Sequence, residues 1–205
     1  MKVAIVGGTG AFGRALAQRL REVGQDTVVV GSRDADRARS AADQLGVGGG
    51  RNEEVVRDAD LVVLAVKSEA TLQTAMELAA AIGRTPVLCV ASDLRFTSGG
   101  VLPGRHQGSL AEEVARIVRA PVASGLQSFA AANLADGDPG DALICGDDEK
   151  AKGLALELAR RLTHRAIDVG PLANSRALEG MTSVILNVNT RYKAHAGIRL
   201  TGIPD

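Results

Sequence analysis

Residues Val3-Ala4-Ile5-Val6-Gly7-Gly8-Thr9-Gly10-Ala11-Phe12-Gly13 decide the fold. A short apolar run enters a Gly-x-Gly-x-x-Gly pattern at Gly8, Gly10 and Gly13, and the pattern opens into a helical segment, Ala11–Val23. That segment sets Phe12, Leu16 and Leu20 at i, i+4 and i+8, one apolar face of a helix. Each glycine has a steric purpose in this setting. Gly8 permits the tight turn, Gly10 lets a pyrophosphate approach the backbone, and Gly13 allows close helix–strand packing. The helix N-terminus offers amides and partial positive charge to phosphates.

A second apolar run, Thr27–Val30, ends in Gly31-Ser32-Arg33. An NAD-type site places a carboxylate here to receive the ribose 2′-hydroxyl. None is present. Ser32 supplies a hydrogen bond, Arg33 a planar fork that grips a 2′-phosphate or lies on the adenine, and Arg37 a further positive charge one helical turn on. The spacing therefore favours NADP(H) over NAD(H). Asp34 precedes a run of helix formers and reads as their N-cap.

Three further β-like runs follow, at Leu61–Val66, Pro86–Ala91 and Ala142–Cys145. Most of the runs are continuous rather than alternating, as in strands covered on both faces of a parallel sheet, and helical patterns separate the first four. Within Ala70–Ile82 the apolar face is expected to include Leu72, Met76 and Leu78. The Gly-Val-Gly-Gly-Gly-Arg stretch before Asn52 leaves room only for a loop or a very short strand. Asp93 to Gly108 mixes Gly, Pro, Ser and Arg without periodicity and reads as a flexible connection. Ser109 and Glu112 form a capping box for a helix to Val118, Asp147 is a candidate cap for Glu149–Leu162, and Arg176–Tyr192 is a long amphipathic helix. The fold class is α/β, an N-terminal Rossmann-type parallel sheet in residues 1–122 with a smaller, mainly helical C-terminal domain in residues 123–205.

The 205 residues carry 24 Lys plus Arg against 24 Asp plus Glu, so no overall field draws nucleic acid or anionic lipid to the chain. Three Phe, one Tyr and no Trp leave little for stacked nucleobases. The first apolar run is too short for a signal-peptide core and no window reaches about 18 uncharged apolar residues, so a cytoplasmic protein without membrane contact is expected. Cys89 and Cys145 lack metal-type spacing, and no metal site is expected. His106, His164 and His195 share no spacing with a nucleophile, His164 reading as a surface residue. A hydride transfer between two cofactors needs no protein base, only the approach of two rings in a dry cleft.

Several segments together resemble the NADPH-dependent F420 reductase family, also called F420-dependent NADP oxidoreductases. They are the opening Val3 to Gly10, Gly31-Ser32-Arg33, Cys145-Gly146-Asp147-Asp148, Asp168-Val169-Gly170-Pro171-Leu172, Asn174-Ser175-Arg176 and Arg191-Tyr192-Lys193-Ala194-His195-Ala196-Gly197. The resemblance implies a homodimer that passes hydride between the nicotinamide of NADP(H) and the deazaflavin of coenzyme F420, with no catalytic side chain. Gly8, Thr9, Gly10, Ala11, Phe12 and Gly13 would then hold the pyrophosphate turn, and Ser32, Arg33 and Arg37 the 2′-phosphate and adenine. Val66, Ser68 and Leu72 complete the cofactor-binding set. Lys67, Gln127, Ser128, Arg191 and Lys193 fall on the F420 or substrate side, with Arg95, Arg105 and Arg199 as further basic candidates for the anionic tail. Lys67-Ser68 stands where the family commonly has Pro-Trp, and Ser124-Gly125-Leu126-Gln127 stands where it has a segment ending in His. An NADPH-dependent reductase of another acceptor (a flavin, a metal chelate or a carbonyl compound) and a non-catalytic NADP(H) sensor are the alternatives to F420 reduction.

Overall fold

A computed structural model of the chain describes residues 1–104, 107–136 and 139–203. Arg105 and His106 lie outside the described residues. The chain runs β1 (Lys2–Val6), α1 (Ala11–Val23), β2 (Thr27–Ser32), α2 (Ala35–Leu45), β3 (Gly48–Arg51), α3 (Asn52–Val55), β4 (Leu61–Leu64), α4 (Ser68–Ile82) and β5 (Val87–Cys89). It continues through β6 (Leu94–Thr97), β7 (Gly100–Pro103), α5 (Leu110–Ile117), β8 (Val122–Gly125) and α6 (Ala131–Asp136). The last elements are β9 (Ala142–Gly146), α7 (Glu149–Leu162), β10 (Ala166–Asp168), a 3-10 turn (Leu172–Asn174) and α8 (Ser175–Tyr192).

Eight strands form one sheet in the order β10-β9-β8-β5-β4-β1-β2-β3, parallel from β8 to β3, with β9 antiparallel to β8 and β10 parallel to β9. The continuous apolar runs are explained by its two covered faces. In β1, Val3 and Ile5 face one core with Leu16 and Leu20 of α1, Leu158 of α7 and Leu134 of α6. Ala4 and Val6 face the other, with Ala75 and Leu78 of α4 and Leu110 and Val114 of α5. Every side chain of Val3 to Val6 is fully buried, and burial of a Val or Ile stabilises by roughly 1.5–3 kcal/mol.

The expected boundary after residue 122 falls at the first residues of β8, inside the common sheet. The C-terminal part is mainly helical, as α7 and α8 dominate it, but it also supplies β9 and β10 to that sheet. The short glycine-rich strand is present as β3, beside β2. Residues 94–103 are not an irregular connection but the antiparallel hairpin β6–β7, tied to α8 by Asn187, which accepts from Val101 N at 2.9 Å and donates to Val101 O at 2.7 Å. That anchoring comes from 86 residues away, so no local pattern announces it.

Two local expectations also change. Met76 is exposed, because the buried face of α4 runs through Thr71, Thr74, Ala75, Leu78 and Ile82. Asp148, not Asp147, caps α7 by accepting from Ala151 N at 2.8 Å. Asp147 instead accepts from Leu172 N at 2.9 Å and ties β9 to the 3-10 turn. Asp34 caps α2 as its position suggests, accepting from Asp36 N and Arg37 N at 3.0 and 3.1 Å.

Candidate functional site

A cleft of about 350 Å³ opens at the C-terminal ends of β1, β2 and β4, lined by Gly7, Thr9 and Gly10, by Ser32, Arg33 and Arg37, by Ala65, Val66 and Lys67, and by Asn52, Glu69, Ala70 and Thr74. In open α/β sheets this strand edge is where ligands bind.

The turn is built by backbone geometry. Gly7, rather than Gly8, takes the left-handed conformation, with φ 87°. Gly8 is required for a different reason: a Cβ there would lie 2.5 Å from Val30 Cβ. At Gly13 a Cβ would lie 2.4 Å from Gly7 O, so α1 packs directly on the turn. Gly10 is the N-cap of α1, and its nearest obstacle is Gly7 O at 3.3 Å, which leaves its outer side open to the cleft. Ala11 is exposed, whereas Phe12 packs against the core beneath the turn, so only its backbone is offered to a ligand.

Ser32, Arg33 and Arg37 are brought together as expected. Ser32 Oγ accepts from Asp34 N at 3.2 Å, which fixes the hydroxyl at the end of β2. The Arg33 and Arg37 side chains are exposed and, among the described residues, neither forms an ion pair. Two uncommitted guanidiniums, an open Gly10 and a helix N-terminus suit a phosphorylated dinucleotide.

Asn52, Ala65, Glu69, Ala70 and Thr74 of this cleft were not singled out from sequence. Asn52 is 5% exposed, and its Oδ1 is buried with no hydrogen-bond partner. A buried amide without a partner costs free energy that a bound group would recover. Its signal was its place directly after the short strand β3, which register puts beside Ser32. Thr74, also buried, lies on the facing helix α4.

A second cleft, about 320 Å³, is lined by Ser68, Glu69, Leu72, Asp93, Leu94 and Leu110. Glu69 belongs to both clefts. Its carboxyl is held below the ordinary range by its own first-turn amide in α4, then by Ser68 Oγ, which donates at 3.2 Å. The predicted cofactor residues thus divide: Val66 lines the first cleft, while Ser68 and Leu72 line the second.

Of the acceptor-side residues, Lys67 alone lines the first cleft. Gln127 is buried, its Nε2 donating to Ser124 Oγ at 2.8 Å and to Cys89 O at 3.3 Å, and Ser128 Oγ donates to Asp141 O at 3.3 Å. Both sit against Leu143, Leu178 and Met181, behind the strand edge rather than on either cleft wall. Arg191 lines a separate groove between α8 and the hairpin, and Lys193 is exposed just beyond α8. Arg95 lies on β6, and Arg199 is in the tail that follows α8. His164 and His195 are exposed.

A mostly parallel sheet with a glycine turn, paired arginines and no carboxylate at the end of β2 defines a dinucleotide-binding protein of the Rossmann type. Residues 2–91 match the family described as NADP oxidoreductase, coenzyme F420-dependent. The F420-dependent NADP reductase of Methanocaldococcus jannaschii is 34% identical over 99% of both chains, and that of Methanothermobacter marburgensis 35% identical over 100% of both. A crystal structure of a provisionally named F420-dependent NADP-reductase from Arthrobacter sp. FB24 superposes with a TM-score of 0.84 at 24% identity, covering 98% of this chain and 99% of that one. The chain belongs to the F420-dependent NADP reductase family.

Proposed function

We propose that this protein transfers a hydride between NADP(H) and coenzyme F420. The observation that carries the reading is the meeting of two clefts at the first turn of α4, where Glu69 borders both. When bound, the reduced nicotinamide supplies a hydride that the deazaflavin takes up together with one proton from solvent. The chain's own contribution is binding and orientation. Gly7 to Gly13 hold the pyrophosphate turn, Ser32, Arg33 and Arg37 hold the 2′-phosphate, and Val66 and Ala70 offer an aliphatic surface in a cleft that lacks aromatic walls. The second cleft sets Leu72, Leu94 and Leu110 beside Ser68, Glu69 and Asp93, an aliphatic patch for the face of a flat ring with polar groups at its edge. Lys67 lines the first cleft two residues before Glu69, and Gln127 and Ser128 support the strand edge from behind.

In this reading residues 1–122 carry the NADP(H) site and line the second cleft as well, and residues 123–205 back that cleft from behind and supply the contact between two copies. The exposed Val184, Val188 and Tyr192 line one groove beside the hairpin, an apolar stripe of α8 that supports a homodimer. Buried, unpaired Cys89 and Cys145 suit a cytoplasmic protein. Among the described residues no helix is long and apolar enough to cross a membrane.

The test is to mix the protein anaerobically with NADPH and oxidised F420 and follow the loss of the deazaflavin's visible absorbance, with NADH as control. NADPH-specific bleaching is expected. Tight NADPH binding without bleaching would overturn F420 as the acceptor.

A further inference from the structure

Helix α8 presents a carboxylate, Glu179, to the protein interior, where it is 3% exposed. Carboxylates are almost never so buried without a specific partner. Glu179 has backbone partners on two separate elements. Its Oε2 accepts from Asp93 N at 3.1 Å, just past β5, and its Oε1 accepts from Ala111 N at 3.3 Å, in the first turn of α5. Burial pushes its carboxyl above the ordinary range, while the amides of Asp93, Leu110 and Ala111 oppose that rise. One turn further along α8, Thr182 pairs with Ser92 Oγ at 2.9 Å and donates to Gln127 O at 3.2 Å. Two successive turns of α8 therefore grip the loop that leaves β5.

Asp93, whose amide Glu179 holds, and Leu110, next to the held Ala111, are two of the three residues forming the wall of the second cleft that faces α4. Glu179 itself does not line that cleft. We propose that Glu179 is a positioning residue, setting from behind the distance between the Asp93–Leu110 wall and the Ser68–Leu72 wall, and with it the affinity for the hydride acceptor. The inference rests on reading the second cleft as the acceptor side. Neither NADP(H) phosphate contacts nor the Arg33 and Arg37 side chains depend on it.

The experiment combines kinetics with amide hydrogen exchange on Glu179→Gln, Glu179→Ala and Arg176→Ala. Arg176→Ala removes a different α8–α5 contact, the ion pair with Glu112, and leaves the Asp93 and Ala111 amides alone. With Glu179→Ala the KM for F420 should rise about tenfold while kcat and the NADPH dissociation constant stay within about twofold. Glu179→Gln, which keeps one accepting oxygen and the packing volume, should give an intermediate rise and carries the test if the alanine variant does not fold. Arg176→Ala should lower thermal stability without moving that KM. In the absence of F420, exchange at Asp93 and Ala111 should quicken about tenfold in Glu179→Gln. Unchanged exchange at those amides, an unchanged KM, or an equal loss of NADPH affinity would overturn the proposal. A wild-type protein that turns over no F420 would instead count against the proposed function, and the exchange result would still decide whether Glu179 sets the wall.

Discussion

Gly10→Ala and Gly13→Ala differ by one methyl group in the same turn, yet the structure assigns them opposite consequences. At Gly13 the new Cβ would lie 2.4 Å from Gly7 O, 2.9 Å from Gly8 Cα and 3.0 Å from Gly7 C. A carbon–oxygen contact of about 3.3 Å is the shortest that is comfortable, so the turn or the start of α1 must move by roughly 0.9 Å. All three obstructing atoms are backbone, so no side chain can swing away. Overpacking of this kind costs about 1–3 kcal/mol, partly offset by about 1 kcal/mol of gained helix propensity, which predicts a fall in Tm of a few degrees. Because the displaced atoms are the phosphate turn itself, NADPH affinity falls as well. At Gly10 the backbone φ is −81° and the closest atom to the new Cβ is Gly7 O at 3.3 Å, so the protein accommodates the methyl group. Loss of a glycine N-cap to alanine costs at most about 1 kcal/mol. The methyl group instead occupies the open side against which a pyrophosphate would rest, and an expected loss of about 2 kcal/mol there is roughly 30-fold in dissociation constant. Thermal melts of the free proteins and fluorescence titrations with NADPH separate the two effects. If Gly10→Ala bound NADPH within about twofold of wild type, or destabilised the free protein as much as Gly13→Ala, the assignment of this turn to the pyrophosphate would be refuted.

Arg33→Asp removes a phosphate fork and adds repulsion, so NADPH binding should weaken at least about 30-fold while NADH binding changes little. Equal losses in parallel titrations would sink the 2′-phosphate assignment. Asn52→Ala deletes a carboxamide whose Oδ1 has no partner in the free protein, so stability should change by less than about 1 kcal/mol while NADPH binds several-fold more weakly. A variant that melts early and binds normally would show Asn52 to be structural. The third prediction concerns acid. Hydrogen bonds from Arg176 at 2.6 and 2.7 Å, followed by those from Ser109, hold the Glu112 carboxyl at about 2 against an ordinary 4.5. A depressed carboxylate stabilises the fold above its unfolded pKa and loses that contribution as pH falls toward the folded one. The α8–α5 clasp should therefore weaken from about pH 4.5 downward, by roughly 1–2 kcal/mol after solvent screening at the half-exposed Arg176. Melts of Glu112→Gln against wild type should draw together as pH falls from about 6 to 3, and parallel curves would contradict the linkage.

What the sequence determined by itself is what a few consecutive residues settle among themselves. The β1–turn–α1 unit, the Asp34 cap and the Ser109–Glu112 capping box depend on φ/ψ preferences and on side chains reaching amides two or three residues away. They appear where the local pattern puts them. The cations at Ser32-Arg33 and Arg37 were legible for the same reason, since strand end and helix start place them together. Even there the sequence did not distinguish Gly7 from Gly8 as the left-handed residue, because adjacent glycines share every local signal and only their tertiary neighbours, Ala65 for Gly7 and Val30 for Gly8, separate their purposes. Tertiary structure decided the rest. Strands β8 and β10 are four and three residues long and exist because β5 and β9 supply their hydrogen bonds. The hairpin at 94–103 is anchored by Asn187 from 86 residues away. Tertiary packing likewise hides Asn52 and Glu179, polar side chains unremarkable in their own segments. Their chemistry arises only when folding removes water from them and brings, or withholds, a partner from another part of the chain.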